Sequence, residues 1–381
     1  MKQTPTRNLN LDLIRCVAVF LVICVHFFLN SGFYGLTVGG KRMLVLFILR
    51  VPCMACVPLF MILTGYLMAQ RNIPLTLAHY KKLHRILLPY FFVTLFILAF
   101  MRFYWQQSFT IWEGILNLTS YRQYSWYVNM YIGFFCLIPF LNMIWRNLPS
   151  RREKAILVLT MLALTLLPSI CNYFDLLTPG WFLGPDTTQA YNALVPDYWI
   201  DLYPFTFYFL GAWLREFGWP IRPVHTFALL CGATLVFGCY NYWRNRGLDF
   251  IWGAWLEWGG LQDTLMAVLL FVLLLALPLD WLPGFGRALL CKLSDLSFGI
   301  YLSSWILDNW LYPILNAHVD PMLARANYFP VMVLAVFAGS TVLSFAADEL
   351  SQLTLLLWRL VTARLPGRSG TPRPPRTKET V

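Results

Sequence analysis

Charge is scarce in this sequence, and acidic charge scarcest: 12% of residues are charged, with 18 acidic against 29 basic side chains. An ordinary soluble domain carries about 25%, so a separate soluble domain is excluded. The basic excess, formally +11, does not gather on one face as a nucleic-acid surface requires, and no nucleic-acid partner is expected. Cysteines lie almost wholly inside apolar stretches, which reads as small buried hydrophobes rather than a disulfide framework. Cys53 and Cys56 form a lone CxxC with no second pair and no ligand-spaced histidine, so no metal site is expected. No small-residue cleavage site follows the first apolar run, which is therefore expected to remain as a span. No internal repeat of useful length is present, which weakens the case for a transporter built from duplicated halves.

What the chain has instead is apolar and aromatic residue, 59% and 17% respectively. Apolar runs fall at 11–31, 44–69, 86–104, 125–145, 155–172, 198–214, 224–241, 264–280, 293–313 and 329–357. Most are near the roughly 20 residues that cross a bilayer as helix; the sixth is interrupted by Pro204. The last exceeds a crossing and carries Asp348 and Glu349, so its end is expected to extend into the cytoplasm. The expected fold is all-α: a polytopic integral membrane bundle of about ten transmembrane helices. Alternating segments split the basic residues 20 to 7 when the N-terminus is placed inside, which predicts both termini cytoplasmic. The membrane domain is expected over 1–360. Residues 361–381 form a Pro/Arg-rich cytoplasmic tail, too poor in apolar residues to fold and suited to anionic lipid headgroups. The longer outer segments, at 105–124, 173–197, 242–263 and 314–328, are rich in Tyr, Trp, Asn and Asp. Such residues suit both interfacial belts and the stacking of sugars.

The first run holds two ionisable side chains in a medium that penalises them. Arg15 and His26 are eleven residues apart, about three helical turns, and so share one face roughly 16 Å apart along the axis. Asp12 lies near the same face. An intramembrane arginine costs a few kcal/mol or more, so this stripe must face protein or a wet cavity. Three readings stand: proton-coupled transport with His26 titrating, acyl transfer with His26 removing a hydroxyl proton, or a polar pair satisfied inside the bundle. Arg50, in the outer half of the second run, is expected to snorkel or to pair.

The spacing of Arg15, ten residues, then His26 resembles the opening of the membrane-bound acyltransferase-3 family. Four further stretches agree. PLFMILTGYL, from Pro58 to Leu67, resembles the family's second-span PxFFxxSGYL element, with Thr64 in place of serine. Lys82, Leu83, His84 and Arg85, followed by the proline segment to Tyr90, resemble its basic RxxR loop. Tyr124 to Val128 is similar to its HxWFL element, with Tyr124 at the histidine. Ser297 to Trp305 is similar to its SxGIYLxH element, with Ser304 where histidine is common.

The resemblance implies an integral-membrane O-acyltransferase, most often an acetyltransferase, of a bacterial cytoplasmic membrane. It would take an acyl group from cytoplasmic acyl-CoA, a co-substrate rather than a bound cofactor, to a hydroxyl of an envelope polysaccharide or glycolipid. By that resemblance His26 is the catalytic histidine and Arg15 its basic partner, with Arg15, Lys81, Lys82 and Arg85 toward the donor's phosphates. Tyr66, Trp126 and Tyr301 are cavity-lining candidates, and Ser304 and Asp308 acceptor-side ones. Direct transfer is favoured over an acyl-enzyme, because no serine with a positioned base stands beside the stripe. A transporter using His26 and Arg15 as coupling charges is the competing class; oligomeric state is silent.

Overall fold

The computed structural model describes residues 7–119, 125–184, 194–252 and 254–364. Fourteen helices are described: α1 (Leu9–Asn30), α2 (Gly40–Cys53), α3 (Cys56–Met68), α4 (Leu77–Tyr80), α5 (His84–Phe103), α6 (Ile111–Thr119) and α7 (Trp126–Asn147). Then come α8 (Arg151–Cys171), α9 (Tyr203–Phe217), α10 (Pro223–Asn245), α11 (Leu261–Leu275), α12 (Gly284–His318), α13 (Met322–Arg325) and α14 (Phe329–Arg364). No strand occurs among the described residues, which hold one isolated bridge, Val38 with Arg246. Tyr124 and the tail beyond Arg364 lie outside the described residues.

Local chemistry sets the helix ends. The Asn8 side chain accepts from Asn10 N at 3.0 Å and starts α1. Ser150 and Glu153 form a capping box on α8, satisfying donors the first turn leaves open. Pro204 does not interrupt the sixth run; it sits in the first turn of α9, where a missing N–H costs nothing. The second run is two helices, broken at Met54 and Ala55 just after Pro52. The eighth run ends as helix at Leu275 rather than near 280, consistent with Pro278 three residues on.

Each of the ten apolar runs is helical, and seven helical stretches are long and apolar enough to cross a membrane. Of the helices in these runs α9, α11 and α12 fall short of that test, and they are lined with buried side chains: Phe207, Tyr208 and Ala212; Met266, Ala267 and Phe271; Ile300, Ser303 and Ser304. By contrast α10 and α14 expose Phe227, Val236, Val331 and Val342, the apolar surface a lipid-facing helix needs.

Small residues let the inner helices approach closely, as in membrane bundles generally. A Cβ on Gly65 of α3 would lie 1.9 Å from Tyr208 O, and one on Gly211 of α9 would lie 2.0 Å from Ile62 O. α12 and α14 are joined by Ser303 Oγ donating to Ser340 O at 2.9 Å and Ser344 Oγ to Leu296 O at 2.9 Å. α1 is pinned to α12 at both ends. Asn316 Nδ2 donates to Asn30 O at 2.9 Å, and Arg325 spans Ser31 O, Asn316 O and Val319 O. At the other end Ser294 Oγ donates to Asp12 at 2.7 Å.

Candidate active site

A cavity of about 440 Å³ runs along one face of α1, where Arg15, Val22, Val25 and His26 line it. These positions recur at helical spacing, so the stripe read from the sequence is one wall. α3 supplies the second wall through Val57, Phe60, Thr64 and Leu67 among others; α7 and α12 close it with Trp126, Tyr127, Tyr131, Ser297, Phe298 and Tyr301. Arg71 enters from the segment between α3 and α4, Arg85 from the first turn of α5, and Trp258 from the loop before α11. The lining is mostly hydrocarbon and ring, with its polar groups at few places.

One end is cationic. Arg15 donates to Asp12 at 3.3 Å and to Ser294 Oγ at 3.2 Å, and its side chain stays 32% exposed. Asp12 is buried but already gripped by Arg7, Nε at 2.7 Å and Nη2 at 2.8 Å. Such a bidentate pair satisfies the carboxylate, so Arg15 keeps much of its field for the cavity. Arg71 and Arg85 make no ion pair among the described residues, leaving two further cations at the surface of the same space.

The other end carries His26. Its Nδ1 lies 3.0 Å from Asp308 Oδ2, with the two side chains 12% and 2% exposed. A carboxylate there accepts the Nδ1 proton, which fixes the tautomer with the lone pair on Nε2 and orients the ring. The two pins between α1 and α12 described above hold the helices that carry this pair in register.

The remaining candidates separate. Trp126 and Tyr301 line the cavity, and Tyr127 and Tyr301 meet edge-to-face at 5.7 Å. Tyr66 does not line it: its ring lies under Arg215, 5.1 Å from the guanidinium, and against Phe271. Ser304 is fully buried and donates to Tyr301 O at 2.8 Å. Lys81 and Lys82 are exposed on the short turn after α4 and do not line the cavity, whereas Arg85 does. Asp308 is off the cavity surface and serves His26. Cys56 lines the cavity, and Cys53 donates to Leu49 O at 3.2 Å. Arg50 pairs rather than snorkels: it is buried, donates to Tyr34 Oη at 2.9 Å, and packs on the rings of Tyr34, Phe250 and Trp252.

Sequence reasoning misses Arg71, which it counts only as a topological charge, and misses that Asp308 pairs with His26. The rarity of carboxylates in apolar runs is a usable signal for the second; for Arg71 no local signal exists.

A family model described as an acyltransferase domain, of the acyltransferase-3 type, matches residues 8–348. No curated protein and no solved structure matches significantly.

Proposed function

The chain belongs to the acyltransferase-3 family, and from that premise we propose that it moves an acyl group, acetyl by preference, from cytoplasmic acyl-CoA to a hydroxyl of an envelope glycan or glycolipid. In this reading the bundle crosses a bacterial cytoplasmic membrane ten times, with both termini inside. The observation that carries it is one cavity with three arginines at one end and a carboxylate-held histidine at the other.

The donor is an anionic nucleotide on a long thin arm, and the two ends suit its two ends. Arg15, Arg71 and Arg85 bind phosphate by charge-assisted hydrogen bonds, with Lys81 and Lys82 adding field at the surface. The arm lies along Val22, Val25 and Leu67, and brings the thioester to His26. There Nε2 accepts the proton of the acceptor hydroxyl as its oxygen attacks the thioester carbonyl carbon. The C–S bond breaks, the proton returns to the departing thiolate, and ester and free thiol leave. Asp308 stabilises the imidazolium that forms in between. Trp126, Tyr301 and Trp258 offer ring faces and polar tips on the acceptor side.

Purified protein in lipid nanodiscs should bind acyl-CoA and place a radiolabelled acyl group on the glycan. His26→Gln should bind donor and transfer nothing. Wild-type protein that binds no acyl-CoA and acylates no glycan, yet moves solute in liposomes, would hand the site to the transport reading.

A further inference from the structure

A second, open surface recess of about 570 Å³ lies between the end of α5 and α6. It is lined by the apolar Met101 and Phe109 and the polar Gln106, Gln107, Ser108, Glu113 and Asn117. Carboxamides both donate and accept, so this lining meets hydroxyl groups from either sense. Among the described residues its lining contains no cation to hold phosphate, and its one carboxylate is partly spent: Glu113 Oε2 accepts from Thr110 N at 2.7 Å and Thr110 Oγ1 at 2.9 Å. Five polar side chains among seven lining residues do not suit a hydrocarbon tail.

α6 explains how the recess is held open. Nine residues are too few to cross a bilayer. Ile111, Trp112, Ile115 and Leu116 form one exposed apolar face, Ile111 being 87% exposed. Such a helix lies in the membrane interface on its apolar side. Glu113 and Asn117, one turn apart, fall on the opposite face and turn to the recess. The α5–α6 connection is folded back by Gln107 N donating to Met101 O at 3.1 Å, with Gln106 in the left-handed region at φ 54°. A non-glycine residue held there is uncommon and marks a constrained turn.

A ring contact ties the α5–α6 turn to the helix that carries Asp308. Trp105, beside Gln106, meets Trp305 edge-to-face at 5.4 Å, and Trp305 stands one turn before Asp308 on α12. α6 leads on, within nine residues of Asn117, to Trp126 in the cavity wall.

We propose that this recess is an acceptor subsite for an uncharged oligosaccharide stretch, engaging sugars distant from the one whose hydroxyl reacts at His26. The inference rests on the reading of the protein as a glycan acyltransferase.

The test uses the full chain in nanodiscs, radiolabelled acetyl-CoA, and acceptor fragments of one and of several repeat units released by mild acid from envelope glycan. Losing two neutral hydrogen bonds is worth about tenfold in affinity. Gln107→Ala with Asn117→Ala should therefore raise KM for the long fragment about tenfold, with kcat and the short fragment's KM unchanged within twofold. Retention of the fluorescently labelled long fragment should fall by the same factor without acetyl-CoA present. Wild-type transfer with equal KM for both lengths, or variants that change both KM values alike, overturns the subsite while leaving the transferase reading standing. Wild-type protein that neither acylates nor retains either fragment overturns both.

Discussion

Asp308→Asn is the substitution that tests the site most directly, because it alters charge with almost no change in shape. Replacing His26 instead would leave a buried carboxylate without its hydrogen-bond donor, and a buried acceptor left unsatisfied costs about 1–3 kcal/mol of stability, more when it is charged. Loss of activity in His26→Ala would then be confounded with loss of fold. In Asp308→Asn the amide oxygen still reaches His26 Nδ1 over the 3.0 Å contact, so the ring keeps a hydrogen bond and loses only the charge. If the imidazole becomes cationic as the acceptor oxygen attacks, the carboxylate stabilises that state. Two unit charges about 4 Å apart at an effective dielectric of about 20 interact by about 4 kcal/mol. Each 1.36 kcal/mol is tenfold in rate, so kcat should fall by roughly 10²–10³.

The assay is transfer of radiolabelled acetyl from acetyl-CoA to extracted acceptor, read beside equilibrium binding of the donor to the same nanodiscs. Donor affinity should stay within about twofold, since Asp308 lies at the far end of the cavity from Arg15, Arg71 and Arg85. A kcat within threefold of wild type would refute the argument, because the carboxylate could not then be serving the reacting proton. A matching fall in donor affinity would refute it too, by making Asp308 part of the fold of the whole cavity.

Arg71→Ala and Arg85→Ala should each weaken acyl-CoA binding about tenfold, the worth of one charge-assisted phosphate contact. Lys81→Ala and Lys82→Ala, whose side chains do not reach the cavity, should change it no more than about twofold; calorimetric titration with a non-hydrolysable acyl-CoA separates the two pairs. Gly211→Ala drives a methyl to within 2.0 Å of Ile62 O; overpacking of backbone costs about 3 kcal/mol or more, and folded yield by size-exclusion chromatography should collapse while Gly133→Ala, with open space around it, is tolerated. Partial desolvation, with the fields of Asp201 and Asp197, pushes the Glu257 carboxyl above its ordinary value although the residue keeps an exposed surface. A raised carboxyl binds its proton more tightly in the fold than in the unfolded chain, so the fold loses stability as pH rises through that value. Glu257→Gln should therefore raise the thermal midpoint near pH 7.5, and the gain should shrink toward pH 5; a gain that grows on acidification would contradict the sign.

How much of the fold and site is legible in the sequence follows from where each residue's cost is visible. Arg15 and His26 stand in an apolar run where any charge is conspicuous, and their separation by whole turns is enough by itself to put them on a shared face. Arg71 is the opposite case. Positive charge at the inner edge of a span is expected for topology alone, so one arginine that faces the cavity cannot be told from neighbours that do not. Lys82, favoured by its motif position, lies off the cavity surface and Arg71, favoured by nothing, lines it. Asp308, at the end of its span, reads as an acceptor contact, because its partner lies almost the whole chain away and the α1–α12 pairing that joins them has no local signature.

The same physics explains why the structure departs from a simple span count. The helices that miss the length-and-apolarity test are not weaker membrane helices by accident. α12 carries Ser294, Ser297, Ser303, Ser304 and Asp308, all buried, and each lowers its hydropathy. A helix facing lipid has no means of satisfying such groups. Enclosed by α1, α5 and α14, it has: Ser294 holds Asp12, Ser303 bonds Ser340 O, and Asp308 holds His26. The outer helices spend their hydrocarbon on the bilayer so that an inner one can be polar. For this chain the least apolar of the long helices is therefore where the chemistry is to be sought, and the hydropathy deficit that obscures α12 as a span is the property that lets it position the histidine.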